Sequence, residues 1–391
     1  MRQVYLDNSA TTKISQGVAN AMSNALQIYG NPSSLHSEGH SASLLIEAAR
    51  LNVAKLIDAD INEIIFTSGG TESNNTVINI ACELIKNSET KKEIIVSAIE
   101  HPSIVETIKK AEKNGIKVIY LPVDRNGRAK IDELKKSLSE RTALVSVMSA
   151  NNETGTIQNI KEITNLAHNA GALMHTDAVQ IIGKANFSVK DLDVDYASFS
   201  AHKINGPKGI GALYVKTKAP YSSFMLGGHQ ERGKRAGTYN TLGIVGFGQA
   251  AQDAQNTPNK YNELIEPIKN KLREDIIKSI PRVIVTGDQD YSLPNVLNVS
   301  FPGAEGESIL LFLDHYGIEV STGSACASGD GKPSHVLMAM LADPELAHGS
   351  VRFSLGLENT TDDVDYLMKY LPKIIKNLRE ISTLKEGDKN E

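Results

Sequence analysis

Between residues 50 and 215, short apolar runs rich in β-branched residues alternate with amphipathic stretches, and this rhythm limits the fold more than any other feature. Strand candidates fall at 63–67, 93–98, 117–121, 143–149, 173–176, 196–200 and 211–215. Helical patterns fill several of the gaps, at 73–86, 103–113, 131–138 and 160–170. Each strand–helix–strand unit is a crossover, so the strands share a parallel sheet whose two faces are covered by helices. The run 211–215 comes too soon after its predecessor for a helical crossover and is therefore read as antiparallel to its neighbour. The expected fold class is α/β, with a mostly parallel seven-stranded sheet and helices on both faces.

The texture changes at Asn256-Thr257-Pro258-Asn259, a turn-rich break. Beyond it come a long amphipathic helix at 264–280, strands at 282–286, 295–300, 319–321 and 350–354, and helices at 308–315 and 362–381. A chain of 391 residues exceeds what one hydrophobic core serves. The expectation is a large domain over 16–256, a smaller α+β domain formed by 1–15 with 257–384, and a charged, disordered tail at 385–391.

Composition narrows the class of function. The formal charge of −5 is spread along the chain, with no basic stripe for nucleic acid and no polybasic segment for a membrane surface. No apolar run is long enough to span a bilayer, and the first residues enter a strand-like run rather than a leader peptide. The two cysteines, Cys82 and Cys326, are too few for a disulfide scaffold, which points to a reduced, cytoplasmic setting.

The residues just past the predicted strands point to a site. After 63–67 come Ser68-Gly69-Gly70-Thr71-Glu72-Ser73, and after 93–98 come Glu100-His101-Pro102. Asn151-Asn152-Glu153 come after 143–149, Asp177 and Gln180 after 173–176, and His202-Lys203 after 196–200. Ligands of open α/β sheets sit outside the carboxyl ends of the strands, so five endings aim polar or ionisable groups at one crevice. The glycines of 68–73 allow close backbone approach to an anion at a helix start, a role that competes with a plain turn capped by Thr71. Lys203 reads either as an amine able to form an imine with an aldehyde or as a salt-bridged loop lysine. Asp177, ending an apolar strand, needs either a cationic partner such as a pyridinium nitrogen or a helix to cap.

Ten motifs occur in order: Asp7-Asn8-Ser9-Ala10-Thr11-Thr12, Tyr29-Gly30-Asn31-Pro32-Ser33-Ser34, 67–73, Glu100-His101, Asn151-Asn152-Glu153, 177–180, 200–203, Arg235-Ala236-Gly237-Thr238, Gly323-Ser324-Ala325-Cys326 and Arg352-Phe353-Ser354-Leu355-Gly356. Together they resemble the cysteine desulfurases of the NifS/IscS branch, fold-type I pyridoxal-phosphate enzymes of the class V aminotransferase group. The likeness runs from Tyr5 to about residue 375; Ser9 and Lys13 depart from it, standing where the family often has alanine and proline.

The resemblance implies pyridoxal 5'-phosphate bound in the large domain, with Lys203 holding it as an imine and moving protons. His101 would stack on the pyridine ring and assist proton transfer, Asp177 would pair with the ring nitrogen, and Gln180 with the phenolic oxygen. Gly70, Thr71, Ser200 and His202 would hold the phosphate, with Thr238 of a second copy reaching across a homodimer interface. Asn152 would line the cofactor pocket, Arg352 would bind the substrate carboxylate, and Asn8, Ala10 and Asn31 would border the substrate. Cys326, in a glycine-rich and hence mobile run, would take the sulfur of L-cysteine as a persulfide and leave L-alanine.

Sulfur-acceptor proteins of iron–sulfur cluster assembly or of tRNA or cofactor thiolation are the implied partners. No intrinsic metal is expected, since His36 and His40 lack a third ligand and Gly39 weakens a helix there; a transient iron–sulfur contact at Cys326 is the one metal role left open. Asp191, Asp193 and Asp195 read as a solvated edge, and Cys82 as a buried helix residue. Selenocysteine or cystine lyase activity is the alternative within the enzymes, and a non-catalytic scaffold the alternative outside them.

Overall fold

A computed structural model describes residues 2–322 and 333–381. The expectations for Gly323 to Cys326 and for the tail 385–391 lie outside the described residues. In chain order the strands are β1 (Val4–Tyr5), β2 (Ile64–Thr67), β3 (Glu93–Ser97), β4 (Lys117–Leu121), β5 (Thr142–Ser146), β6 (Leu173–Asp177), β7 (Tyr196–Ser200), β8 (Gly211–Val215), β9 (Ile284–Thr286), β10 (Val296–Ser300), β11 (Ile318–Glu319) and β12 (Ser350–Ser354).

Seven of them form one sheet in the order β2-β8-β7-β6-β5-β3-β4. Strand β8 is antiparallel to both β2 and β7, while β3, β4, β5, β6 and β7 pair in parallel. Six strands therefore point the same way and deliver their carboxyl ends to one edge. Every residue of β2, β3, β5, β7 and β8 is buried, as helix cover on both faces requires. Strand β4, at the sheet edge, is exposed or half-buried until its last residue, Leu121. This is the α/β architecture expected from the sequence.

The first four helices are α1 (Gln16–Ala25), α2 (Ser37–Leu56), α3 (Gly70–Lys86) and α4 (Pro102–Lys113), and α3 and α4 follow the carboxyl ends of β2 and β3. Pro102 stands in the first turn of α4, where a missing N–H costs nothing, and His101 caps it. His36 likewise caps α2, its Nδ1 accepting from Gly39 N–H at 3.3 Å. The expected weakening at Gly39 does not occur. A Cβ there would lie 2.7 Å from the Asn31 carbonyl, so the glycine lets the helix start pack against the preceding loop.

One hydrophobic cluster lies on each face of the large sheet. A third gathers Val4 and Leu6 with residues of β10, β11, β12 and the helices Glu266–Ser279, Thr361–Met368 and Leu371–Ile381. The first strand pairs in parallel with β11, so the start of the chain packs among its last third. The helix expected at 362–381 is broken at 369–370. Asp195 departs from the solvated edge assigned to it: it is buried and accepts from Met174 N–H at 2.8 Å, which is how a carboxylate survives between two strands. Cys82 is half-buried rather than buried.

Candidate active site

The carboxyl ends of β2, β6 and β7 open on a chamber of about 360 Å³ lined by Gly70, Thr71, His101, Asn152, Asp177, Gln180, Ser200, His202, Lys203 and Arg352, with Ser9 and Ala10 closing it from the N-terminal arm. Residues from 9 to 352 meet here because the arm crosses the sheet edge, its Asp7 bridging to Ser354 of β12.

Lys203 is half-buried just past β7. Its Nζ donates to the carbonyls of Ser9 at 2.5 Å and Ala10 at 2.7 Å. The motif at 7–12 is thus a clasp over the lysine, fastened further by Thr12, whose N–H and hydroxyl both donate to the His202 carbonyl at 2.9 Å. Nδ1 of His202 meets the Thr11 hydroxyl at 3.1 Å. Burial, reinforced by Lys203 and Lys208, pushes the His202 ring down to about 4, so it is neutral near pH 7.

Asp177 ends β6 and is buried. Its Oδ2 accepts from the Asn74 side-chain N–H at 2.7 Å and its Oδ1 from Val179 N–H at 3.0 Å. His101 lies beside it, its titration lowered chiefly by burial and by Lys203, against the pull of Asp177. Gln180 donates to the Ser9 carbonyl at 3.0 Å.

At the mouth of α3, the N–H groups of Gly70 and Thr71 belong to the first turn and have no carbonyl four residues back in the helix. Glu72 accepts from Ser68 N–H at 2.7 Å and is itself held by Arg235 at 2.9 and 3.1 Å. A Cβ at Gly70 would stand 2.7 Å from Val179, so glycine keeps the turn close to the β6 end. Helix dipole, exposed amides and the hydroxyl of Ser200 make this end fit an anion.

Arg352, on β12, is 3% exposed. It donates to Asp7 Oδ1 at 2.7 Å and to the Asn152 carbonyl at 3.0 Å, while its Nε is buried with no hydrogen-bond partner among the described residues. Ser321 bridges to Arg352 on the neighbouring stretch, one residue before the first described segment ends at Thr322.

Three expected site residues do not line this chamber. Asn8 turns away to the Ser354 carbonyl at 3.0 Å because Gly356 packs against its amide. Asn31 is exposed and caps its own turn by accepting from Ser33 N–H. Thr238 is exposed on the segment leading to the helix Thr241–Ala254. Cys326 lies outside the described residues.

Three residues that no sequence motif singled out, Asn74, Ser103 and Met148, also line the chamber, and Lys184 lies behind Gln180. Asn74 was within reach of sequence reasoning, since it stands on the helix that the phosphate-type turn opens. Among the described residues no cluster of three or more histidine, cysteine or acidic groups is arranged to hold a metal.

The aminotransferase class-V family model matches residues 4–367. The chain belongs to the cysteine desulfurases of that family. It is 46% identical over 388 residues to a cysteine desulfurase IscS of Clostridium botulinum, covering 98% of this chain and 97% of the relative. The solved structure of a NifS-like protein matches with a TM-score of 0.90 at 40% identity, over 96% of this chain and 100% of that one. A structure of SspA in complex with cysteine matches with a TM-score of 0.80 at 31% identity, over 92% and 100% of the two chains. The desulfurase chamber is thus built mainly from the carboxyl ends of the large sheet, the N-terminal arm and β12.

Proposed function

We propose that this desulfurase takes L-cysteine as substrate, uses pyridoxal 5'-phosphate, and passes the sulfur to Cys326 as a persulfide with release of L-alanine. The observation that carries the reading is the nearly buried guanidinium of Arg352, which lines the same chamber as Lys203 and Asp177. Of the five N–H groups of a guanidinium, the Asn152 carbonyl and Asp7 take one each, and a substrate carboxylate can answer the donors that remain.

The donor set fits the cofactor. The first turn of α3, with Gly70, Thr71, Ser200 and His202, would take the phosphate. Asp177 would take the ring nitrogen, Gln180 the phenolic oxygen, and Lys203 the aldehyde, with Asn152 and His101 on the flanks. When bound, the cofactor supplies an electrophilic carbon and a conjugated ring that accepts an electron pair. Lys203 is placed to remove the substrate α-proton and return it. Ser9 and Ala10 orient its Nζ through their carbonyls. Arg352 would set the substrate's direction, and the clasp at 7–12 would hold the amine in place. The net exchange is balanced without an oxidant: a sulfur atom leaves the substrate β-carbon for the Cys326 thiol, and the carbon ends as the methyl of alanine.

The wider reading includes a large cofactor-binding unit over 16–256 with a smaller unit from 1–15 and 257–384. It places the enzyme as a homodimer in the cytoplasm and its sulfur with acceptors of iron–sulfur assembly or tRNA thiolation. The name IscS among the relatives supports the first class of acceptor. No helix among the described residues is long and apolar enough to cross a membrane.

Substituting Cys326→Ala tests the reading. The visible band formed with pyridoxal phosphate should remain and bleach with borohydride, while sulfide release from cysteine falls at least about 100-fold, the scale of a lost nucleophile. Undiminished release would remove Cys326 from the reaction. If selenocysteine turnover survives in the same variant, the lyase reading is favoured.

A further inference from the structure

Asn74 stands on the second turn of α3, is 1% exposed, and lines the chamber. Its Nδ2 lies 2.7 Å from Asp177 Oδ2 and 2.9 Å from Ser103 Oγ. Its Oδ1 is buried with no hydrogen-bond partner among the described residues. A carboxylate accepts only, so the amide must turn its nitrogen to Asp177, and both N–H groups are then spent on Asp177 and Ser103. An orphaned amide oxygen in a polar pocket is the mark of a side chain held in place by its nitrogen.

Ser103 carries the constraint onward. Its hydroxyl oxygen accepts from Asn74, so its proton is free to point at His101 Nδ1, 2.8 Å away. Its backbone N–H, which can only donate, also meets His101 Nδ1, at 3.1 Å. Two donors on one ring nitrogen leave that nitrogen bare, and the proton of the neutral ring must sit on Nε2.

We propose that Asn74 is a positioning residue that ties Asp177 to Ser103 and thereby fixes His101 as the tautomer bearing its proton on Nε2. The inference deepens the cofactor reading above and rests on it for its chemical meaning. His101 then offers a hydrogen-bond donor and a flat neutral face to the chamber. Taking up a further proton would require Nδ1 to give up the backbone cap of α4 and the Ser103 hydroxyl to reverse its bond, which leaves proton abstraction to Lys203. The charged groups around the ring divide: Asp177 at the end of β6 favours its protonation, whereas Lys203 past β7 and His335 on the helix His335–Leu341 oppose it. Burial opposes it most.

The test is nitrogen NMR of enzyme labelled at histidine, loaded with pyridoxal phosphate and unloaded, with the His101 signals identified by their loss in His101→Gln. Wild type should show Nδ1 as a bare acceptor and Nε2 as the proton carrier at neutral pH. In Ser103→Ala and Asn74→Leu the ring should protonate at a pH higher by roughly one unit, the scale on which a hydrogen bond to one protonation state moves a titration. Ser103→Thr, which keeps the hydroxyl, should behave as wild type. A wild-type ring with its proton on Nδ1 would overturn the proposal without any variant. So would an unmoved titration in a folded Ser103→Ala enzyme. Absence of a visible band with pyridoxal phosphate would instead count against the cofactor reading, while the tautomer in the unloaded protein stays measurable.

Discussion

Lys184 shows how much a single buried charge can reveal. It is 1% exposed, and its Nζ lies 3.3 Å from the Gln180 carbonyl and 3.5 Å from Gln180 Oε1. Burial, with Lys203 and Arg352 adding to it, pushes the amine from its ordinary 10.5 down to about 7. Between those two pH values the unfolded chain holds a proton that the folded chain has shed, so this group makes stability rise with pH across that window. Below about 7 both states are charged and the burial penalty is fully felt. Lys184→Met should therefore gain most in melting temperature, relative to wild type, at pH 7 and below, with the gain shrinking as pH approaches 10.5. A difference between the two melting curves that is flat in pH would refute the assignment. The same variant should bind pyridoxal phosphate a few-fold more weakly, because Gln180 loses the group that steadies its oxygen. Lys203 and Asp177 could be picked out of the sequence as ionisable residues at strand ends, and Arg352 through the family resemblance. The place of Asn74 on the helix that the phosphate-type turn opens was within reach, but its bonds and those of Lys184 and Ser103 were not, because they depend on which atom of a neighbour each one touches, and spacing does not encode that.

Among the elements, the sheet was the easiest to read. Its strands are two-sided apolar runs, and their predicted ends fall within a few residues of those observed. The long helix α2 was missed although Ala42, Ile46, Ala49 and Val53 repeat at helical spacing. Its buried face mixes small alanines with few large apolar side chains, and Gly39 read as weakening a helix at its start. The stretch between β8 and the helix Thr241–Ala254 had no periodic signal at all, because one buried ion pair organises it rather than an apolar face. Glu231 takes both NH groups of Arg50, at 2.6 and 2.9 Å, and the Phe66 N–H at 2.9 Å. Both side chains are nearly sealed from water, at 2% and 3% exposure. Breaking one half of such a pair strands a buried charge, which costs about 3–5 kcal/mol. Glu231→Gln, which keeps the shape, should lower the unfolding free energy measured by urea denaturation by an amount of that order, and a change under about 1 kcal/mol would mean the segment is held by something else.

At the scale of the molecule, the arrangement of apolar surface is the open matter. Leu44 and Leu51 lie seven residues apart on α2 and are 58% and 43% exposed, while Leu226 is 86% exposed and Leu35 103%. The Arg50–Glu231 pair and the Arg232–Glu47 pair tie α2 to the segment after β8 that also bears Leu226. Exposed apolar groups on both elements fit the homodimer proposed above, in which a second copy would cover them. The same segment carries Thr238, which is exposed and does not line its own chamber. If Thr238 serves the phosphate of the other copy, two damaged chains can repair each other. A Lys203→Ala chain cannot fix the cofactor, and a Thr238→Ala homodimer should bind it roughly tenfold or more weakly, the worth of one hydrogen bond to a charged group. In a mixed dimer of the two, the Thr238→Ala chain keeps Lys203 and receives an intact Thr238 from its partner. Borohydride-fixed cofactor at limiting concentration should then return to the wild-type affinity in half of the sites. Mixed dimers that bind no better than Thr238→Ala alone would place the hydroxyl's action within its own chain, and the exposed threonine would need another purpose.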